Sequence, residues 1–110
     1  MDIVFKSRKL EKIFNSAKEL KKNFPQSFDK IQMRMQVLMA APSLEHVPKN
    51  KPERCHELTL NRKGQFAVIL KEPFRLIFEP NHDPVPRKDD GGIDLEKVTA
   101  ITILEVTDYH

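Results

Sequence analysis

The chain has 110 residues, 39% of them hydrophobic and 32% charged, with 3 glycines, 8 prolines and 1 cysteine. That is the size of one domain, taken as residues 1–110, with apolar material for one core; it excludes a disordered tail, a collagen-like repeat and a disulfide-stapled scaffold. No apolar run approaches the roughly 20 residues of a membrane span, and Met1-Asp2-Ile3-Val4-Phe5-Lys6 lacks a signal-peptide pattern, so a cytoplasmic protein with no membrane association is expected.

The formal net charge of +3 conceals an asymmetry. Residues 1–64 hold 14 of the 19 Lys and Arg and 7 of the 16 acids, a balance of +7, whereas residues 65–110 hold 5 bases and 9 acids, a balance of −4. A basic half either attracts an anionic polymer, nucleic acid being the commonest, or is a lysine-rich solvated face.

Residues 2–6 alternate Ile3 and Phe5 with Asp2, Val4 and Lys6 and predict a short strand. Ser7 is an N-cap candidate. Leu10, Ile13, Phe14, Ala17 and Leu20 then recur at spacings of three and four, as in one amphipathic helix with lysines outside. Pro25 interrupts it, and Ser27 caps a second helix with the stripe Phe28, Ile31, Met35, Leu38 and Met39, ending at Ala41-Pro42. The two form a helix hairpin, and the four methionines read as core filling. Residues 42–53, with three prolines, are a loop.

From there the period changes to two. Residues 57–60 and 65–70 predict a hairpin around the Asn61-Arg62-Lys63-Gly64 turn. After Pro73, Phe74, Leu76 and Phe78 alternate with Arg75, Ile77 and Glu79, placing the first set in the core and Arg75 on the opposite face. Residues 80–92 form a long exposed loop, and residues 98–106 are the last strand, delivering Asp108, Tyr109 and His110. The expected fold is α+β: a strand and helix hairpin packed on one face of a mainly antiparallel sheet of four to five strands.

Phosphate-loop, His-Glu-x-x-His and nucleophile-elbow patterns do not occur. His46, His56, His82 and His110 have no metal-ligand spacing. Cys55 and its neighbour His56 point to opposite faces of a strand, so Cys55 reads as a buried thiol. What remains is a dispersed set suited to phosphate chemistry: Arg54, His56, Lys63, Lys71, Arg75, Asp108, Tyr109 and His110. Metal-independent RNA cleavage needs a base for the 2′-hydroxyl, an acid for the leaving 5′-oxygen and cations for the phosphorane-like transition state, and these residue types supply all three. Taken alone, Arg75 also reads as an exposed ion-pair partner of Glu79.

The order Arg54-Cys55-His56-Glu57-Leu58, Asn61-Arg62-Lys63-Gly64-Gln65-Phe66, Pro73-Phe74-Arg75-Leu76-Ile77-Phe78 and Glu105-Val106-Thr107-Asp108-Tyr109-His110 resembles the RelE superfamily, within it the HigB-like, plasmid-maintenance killer branch. The resemblance spans nearly the whole chain. It implies a RelE-like fold and the toxin of a type II toxin–antitoxin system: a ribosome-dependent endoribonuclease that cuts mRNA in the ribosomal A site, without cofactor. It further implies that Arg75, Asp108, Tyr109, His110 and His56 are catalytic, that Lys71, Arg54, Arg62 and Lys63 hold RNA or ribosome, and that a cognate antitoxin, itself DNA-binding, neutralises the chain. Thr59 stands where relatives carry a lysine and Lys71 where they carry an arginine, and the loop at 80–97 is longer than in compact relatives. The alternative readings are a same-fold toxin that inhibits a protein such as DNA gyrase, or a non-catalytic RNA- or ribosome-binding domain.

Overall fold

Apolar residues at every second position give the sheet one face that must be covered. In the computed structural model, which describes residues 1–108, the covering is three helices: α1 (Arg8–Phe14), α2 (Ala17–Asn23) and α3 (Phe28–Ala40). The strands are β1 (Asp2–Phe5), β2 (His56–Glu57), β3 (Phe66–Ile69), β4 (Phe74–Pro80) and β5 (Ala100–Asp108). They form a mixed sheet in the order β1-β5-β4-β3-β2, in which β1 runs parallel to β5 and the other neighbours are antiparallel. The core joins Leu20 of α2 and Ile31 and Leu38 of α3 to Phe66, Val68, Leu76, Phe78, Ile101 and Ile103 of the sheet. No helix among the described residues is long and apolar enough to cross a membrane.

The alternation of β5 is broken once. Ile103 stands opposite Phe78 but Glu105 opposite Ile77, so Leu104 is an extra residue, a β-bulge. Before it, Ile101 and Ile103 face the helices; after it, Val106 does, opposite Leu76. Glu105 and Thr107 are thereby turned to the other face, where they join Ile77 and Arg75. On that face Leu58, Ala67, Ile77 and Leu104 make a small second cluster.

Local chemistry accounts for the departures from the periodicity. The helix expected to run past residue 15 is two helices, because Ser16 accepts from the Glu19 amide and starts a new one, while the Asn15 amide closes the first on the Glu11 carbonyl and the Ser16 amide on that of Ile13. Ser7 caps α1 through the Leu10 amide, as its position implies. Ser27 precedes α3 but makes no capping bond, and its hydroxyl is buried without a partner among the described residues. The buried stripe of α3 is Ile31, Arg34 and Leu38; Met39, assigned to the core from its spacing, is 63% exposed.

The strand expected over 57–60 ends at Glu57. Leu58 keeps the ladder bond to Gln65, but Leu60 takes a left-handed φ of 56° and opens a 3₁₀ turn at Leu60–Arg62. The segment 80–97 is more ordered than its composition implies. Arg87 bridges Ile93, Ile93 is buried in the main core, and His82 Nε2 accepts from the Thr99 and Ala100 amides at 3.1 and 3.3 Å. The last strand starts and ends two residues later than the β-branched run suggests.

Cys55 is buried, and burial pushes its thiol from 9.0 to about 12 against the weaker opposing pull of Lys49. Between those values the unfolded chain has lost the thiol proton and the folded chain keeps it, so stability falls as pH rises through the window. The Cys55→Ala variant is therefore expected to narrow its melting-temperature gap to the parent as pH rises from 8 to 11; a constant gap would refute this. Deleting Leu104 removes the extra residue and leaves Glu105 directly after Ile103, so Val106 should stay on the helix side, Glu105 and Thr107 on the other, and the variant should still melt cooperatively with a midpoint lowered by the lost contacts to Leu58, Ala67 and Ile77. Loss of cooperative melting in the deletion variant would show that the strand phase does not follow from this one residue.

Candidate functional site

The face turned away from the helices carries most of the chemistry. Arg75 occupies the second position of β4, between Ile69 of β3 and Thr107 of β5. Its side chain is only 18% exposed, because its stem lies along the sheet and its head turns back over the β3–β4 turn. One Nη donates to the Phe74 carbonyl at 2.9 Å and the other to Glu72, with 3.2 Å to the nearer carboxylate oxygen. The partner is thus Glu72, across the turn, and not Glu79 four residues along the strand. Glu72 is 70% exposed. An ion pair of that kind contributes at most about 1 kcal/mol, so a phosphate can replace the carboxylate at little cost.

Arg62 comes to the same face from the 3₁₀ turn. It donates to Gln65 Oε1 at 2.9 Å and to Glu105 Oε2 at 3.1 Å. Glu105 and Thr107 lie two residues apart in β5, so the Arg62–Glu105 pair stands one row from Arg75, about 7 Å along the strand. The structure therefore brings Arg62 and Arg75 into one neighbourhood, with Glu72, Glu105 and Thr107 between and beside them. Lys71 is exposed in the β3–β4 turn next to Glu72, and Lys63 is exposed just after the Arg62 turn.

His56 is less close. It is exposed on β2 opposite Ala67, in the row that continues through Ile77 to Glu105. Two strand spacings, roughly 10 Å, separate it from β4, and Ala67, Ile69 and Ile77 fill the interval. Its Nδ1 meets the Arg54 carbonyl at 2.8 Å, which orients the ring. Arg54 itself is exposed at a left-handed φ of 47°. A substrate touching both His56 and Arg75 must extend across the face.

Asp108 is exposed at the end of β5, opposite Phe74 and one step beyond the Thr107–Arg75 pair. Tyr109 and His110 lie outside the described residues. Alternation places Asp108 on the helix side of the sheet at this position, so sharing a ligand with Arg75 requires the ligand to reach round the strand end. Cys55 is excluded as a nucleophile, since a thiol held near 12 is protonated at neutral pH. Among the described residues, no group of three or more His, Cys, Asp and Glu side chains is arranged to hold a metal ion.

Two groups escaped the sequence reading. Glu105 reaches Arg75's face only through the Leu104 bulge, which leaves no mark in the residue pattern. Arg34 occupies an apolar-stripe position of α3, 2% exposed, and donates from Nε to the Ile69 carbonyl at 2.8 Å, directly opposite Arg75 in the ladder. It ties α3 to the strand that flanks the site. An arginine three residues after Ile31 was the available signal.

A scan against models of protein families finds no match to this chain, and a search of curated proteins finds none either.

Proposed function

We propose that this chain is a HigB-like toxin of RelE-like fold, a cytoplasmic endoribonuclease that cuts mRNA held in the ribosomal A site and is neutralised by a DNA-binding antitoxin. One observation carries the reading most: Arg75 stands on the sheet face opposite the helices, held among the described residues by its own backbone and an exposed glutamate, one row from a second arginine. The ordered motifs around residues 54–58, 61–66, 73–78 and 105–110 support it independently.

Two guanidinium groups on one face suit an RNA phosphate, because each offers paired donors to the non-bridging oxygens. In the proposed chemistry Arg75 leaves Glu72 and binds the phosphate, meeting the negative charge that builds as the 2′-hydroxyl attacks. As the 2′-oxygen bonds to phosphorus the bond to the 5′-oxygen breaks, leaving a 2′,3′-cyclic phosphate and a 5′-hydroxyl; His110, oriented by Asp108, carries one of the two proton transfers, from the 2′-hydroxyl or to the 5′-oxygen, and Tyr109 or a water the other. Arg62, Lys63, Lys71 and Arg54 line the approach of the strand, and His56 meets the RNA at the far edge of the face. The mRNA gains its position from the ribosome, a contribution worth several kcal/mol, so free RNA is a poor substrate.

The Arg75→Ala variant should fold normally, lose toxicity on expression, and cut a ribosome-bound message at least a hundredfold more slowly, a cost of about 3 kcal/mol. Removing Tyr109 and His110 should likewise abolish cutting with little change in melting temperature. Undiminished growth arrest and cleavage by the Arg75→Ala protein would overturn the assignment. Growth arrest without cleavage by the parent chain would favour a protein target instead.

A further inference from the structure

A strongly basic surface lies outside this site. α1 and α2 enclose a groove of about 530 Å³ lined by Arg8, Lys9, Lys12, Ile13, Glu19, Lys22 and Asn23. Four cations therefore surround it against one carboxylate, and residues 6–22 as a whole carry seven cations and two acids. The ion pairs among the described residues engage Lys49, Arg62, Arg75, Lys88 and Lys97, so none of the four groove cations is neutralised. Arg8 and Lys12 lie four apart on one helix, as like charges that repel. Such a cluster weakens the free protein and is relieved when a polyanion fills the groove.

We infer that the α1–α2 groove docks the phosphate backbone of double-helical RNA. This deepens the proposed function and rests on it, because a ribosome-bound toxin meets folded RNA as well as message. The lining itself selects this occupant. Ile13 is its one apolar side chain, whereas an amphipathic protein segment needs apolar anchors at the centre of its interface. No aromatic ring lines it either, so single-stranded bases find no stacking platform. Recognition of backbone charge and spacing, with no reading of sequence, is what remains.

The position is consistent with joint action. β1 ends at Phe5 opposite Ile103, leaving the outer half of β5 unpaired on that side, and α1 follows β1 there. A smaller pocket is lined by Lys9, Leu10 and Ile13 of α1 together with Leu104, Glu105 and Val106 of β5. The groove thus lies round the edge of β5 from the Arg62–Glu105 pair, and docking there leaves the Arg75 face free.

The test is fluorescence anisotropy of a labelled RNA duplex titrated with the full chain at several salt concentrations. The parent should bind the duplex more tightly than a single strand of equal length or a poly-glutamate peptide. The Lys9→Glu/Lys12→Glu/Lys22→Glu variant, with unchanged circular dichroism, should bind at least tenfold more weakly and flatten the log–log salt slope by about 2–3, near one per lost phosphate contact. If that variant fails to fold, the Lys→Gln triple at the same positions serves. Lys30→Glu/Lys51→Glu, outside the groove, should change binding little. Parental affinity in the triple variant, or tighter binding of the peptide or the single strand, overturns the inference. No cleavage enters this assay: duplex binding lost in the triple variant while the parent fails to cut a ribosome-bound message refutes the nuclease reading and leaves the groove standing, and the reverse pair of results refutes the groove alone.

Discussion

The candidate site depends on one extra residue in β5. Strand alternation is strict, so a nine-residue strand with Ile101 and Ile103 facing the helices would also turn Glu105 and Thr107 toward them. Burying an unpaired carboxylate in that core would cost several kcal/mol, and Val106 would be left in water. Leu104 absorbs the conflict by bulging. Val106 then seals the helix side, and Glu105 and Thr107 flank Ile77 and Arg75. The bulge thereby makes one strand serve a hydrophobic core in its first half and a polar surface in its second, as bulges beside functional surfaces commonly do.

The two sides of the sheet divide the labour of the charge. Six of the 14 cations of residues 1–64 sit on α1 and α2, on the helix side, beside only two acids, Glu11 and Glu19. On the open side each arginine is held by a carboxylate, Arg75 by Glu72 and Arg62 by Glu105. Those pairs keep the guanidinium groups in place; on the proposed function they yield to a phosphate, while the groove, whose cations make no ion pair among the described residues, contributes attraction without geometry. Attraction without geometry suits docking; held arginines suit chemistry. Arg34 adds rigidity from beneath, by fastening α3 to the Ile69 carbonyl beside Arg75.

Much of this was legible from residue spacing, for definite reasons. Phe74, Leu76 and Phe78 alternate without interruption, so their burial and the exposure of Arg75 to the other face followed directly. Ser7 before an apolar 3–4 pattern marked the start of α1. What escaped were competitions decided by single side chains or by distant parts of the fold. Ser16 divides a helix that hydrophobic spacing alone would continue, and Leu60 ends a strand by adopting a conformation disfavoured for leucine. The Glu72 partner of Arg75 depended on the shape of the β3–β4 turn, the order in residues 80–97 on the bridge between Arg87 and Ile93, and the exposure of Glu105 on a bulge. Arg34 shows the limit from the other side, since a charged residue in an apolar stripe is ordinarily read as a break in it.

On the proposed function, the sheet face opposite the helices cuts message RNA presented by a ribosome. Mapping 5′ ends by primer extension on one mRNA, incubated with purified protein in the presence and absence of translating ribosomes, tests it most directly. New ends inside codons are expected with ribosomes and none without them. Ends of equal abundance without ribosomes, or a halt in translation with the message intact, would contradict it.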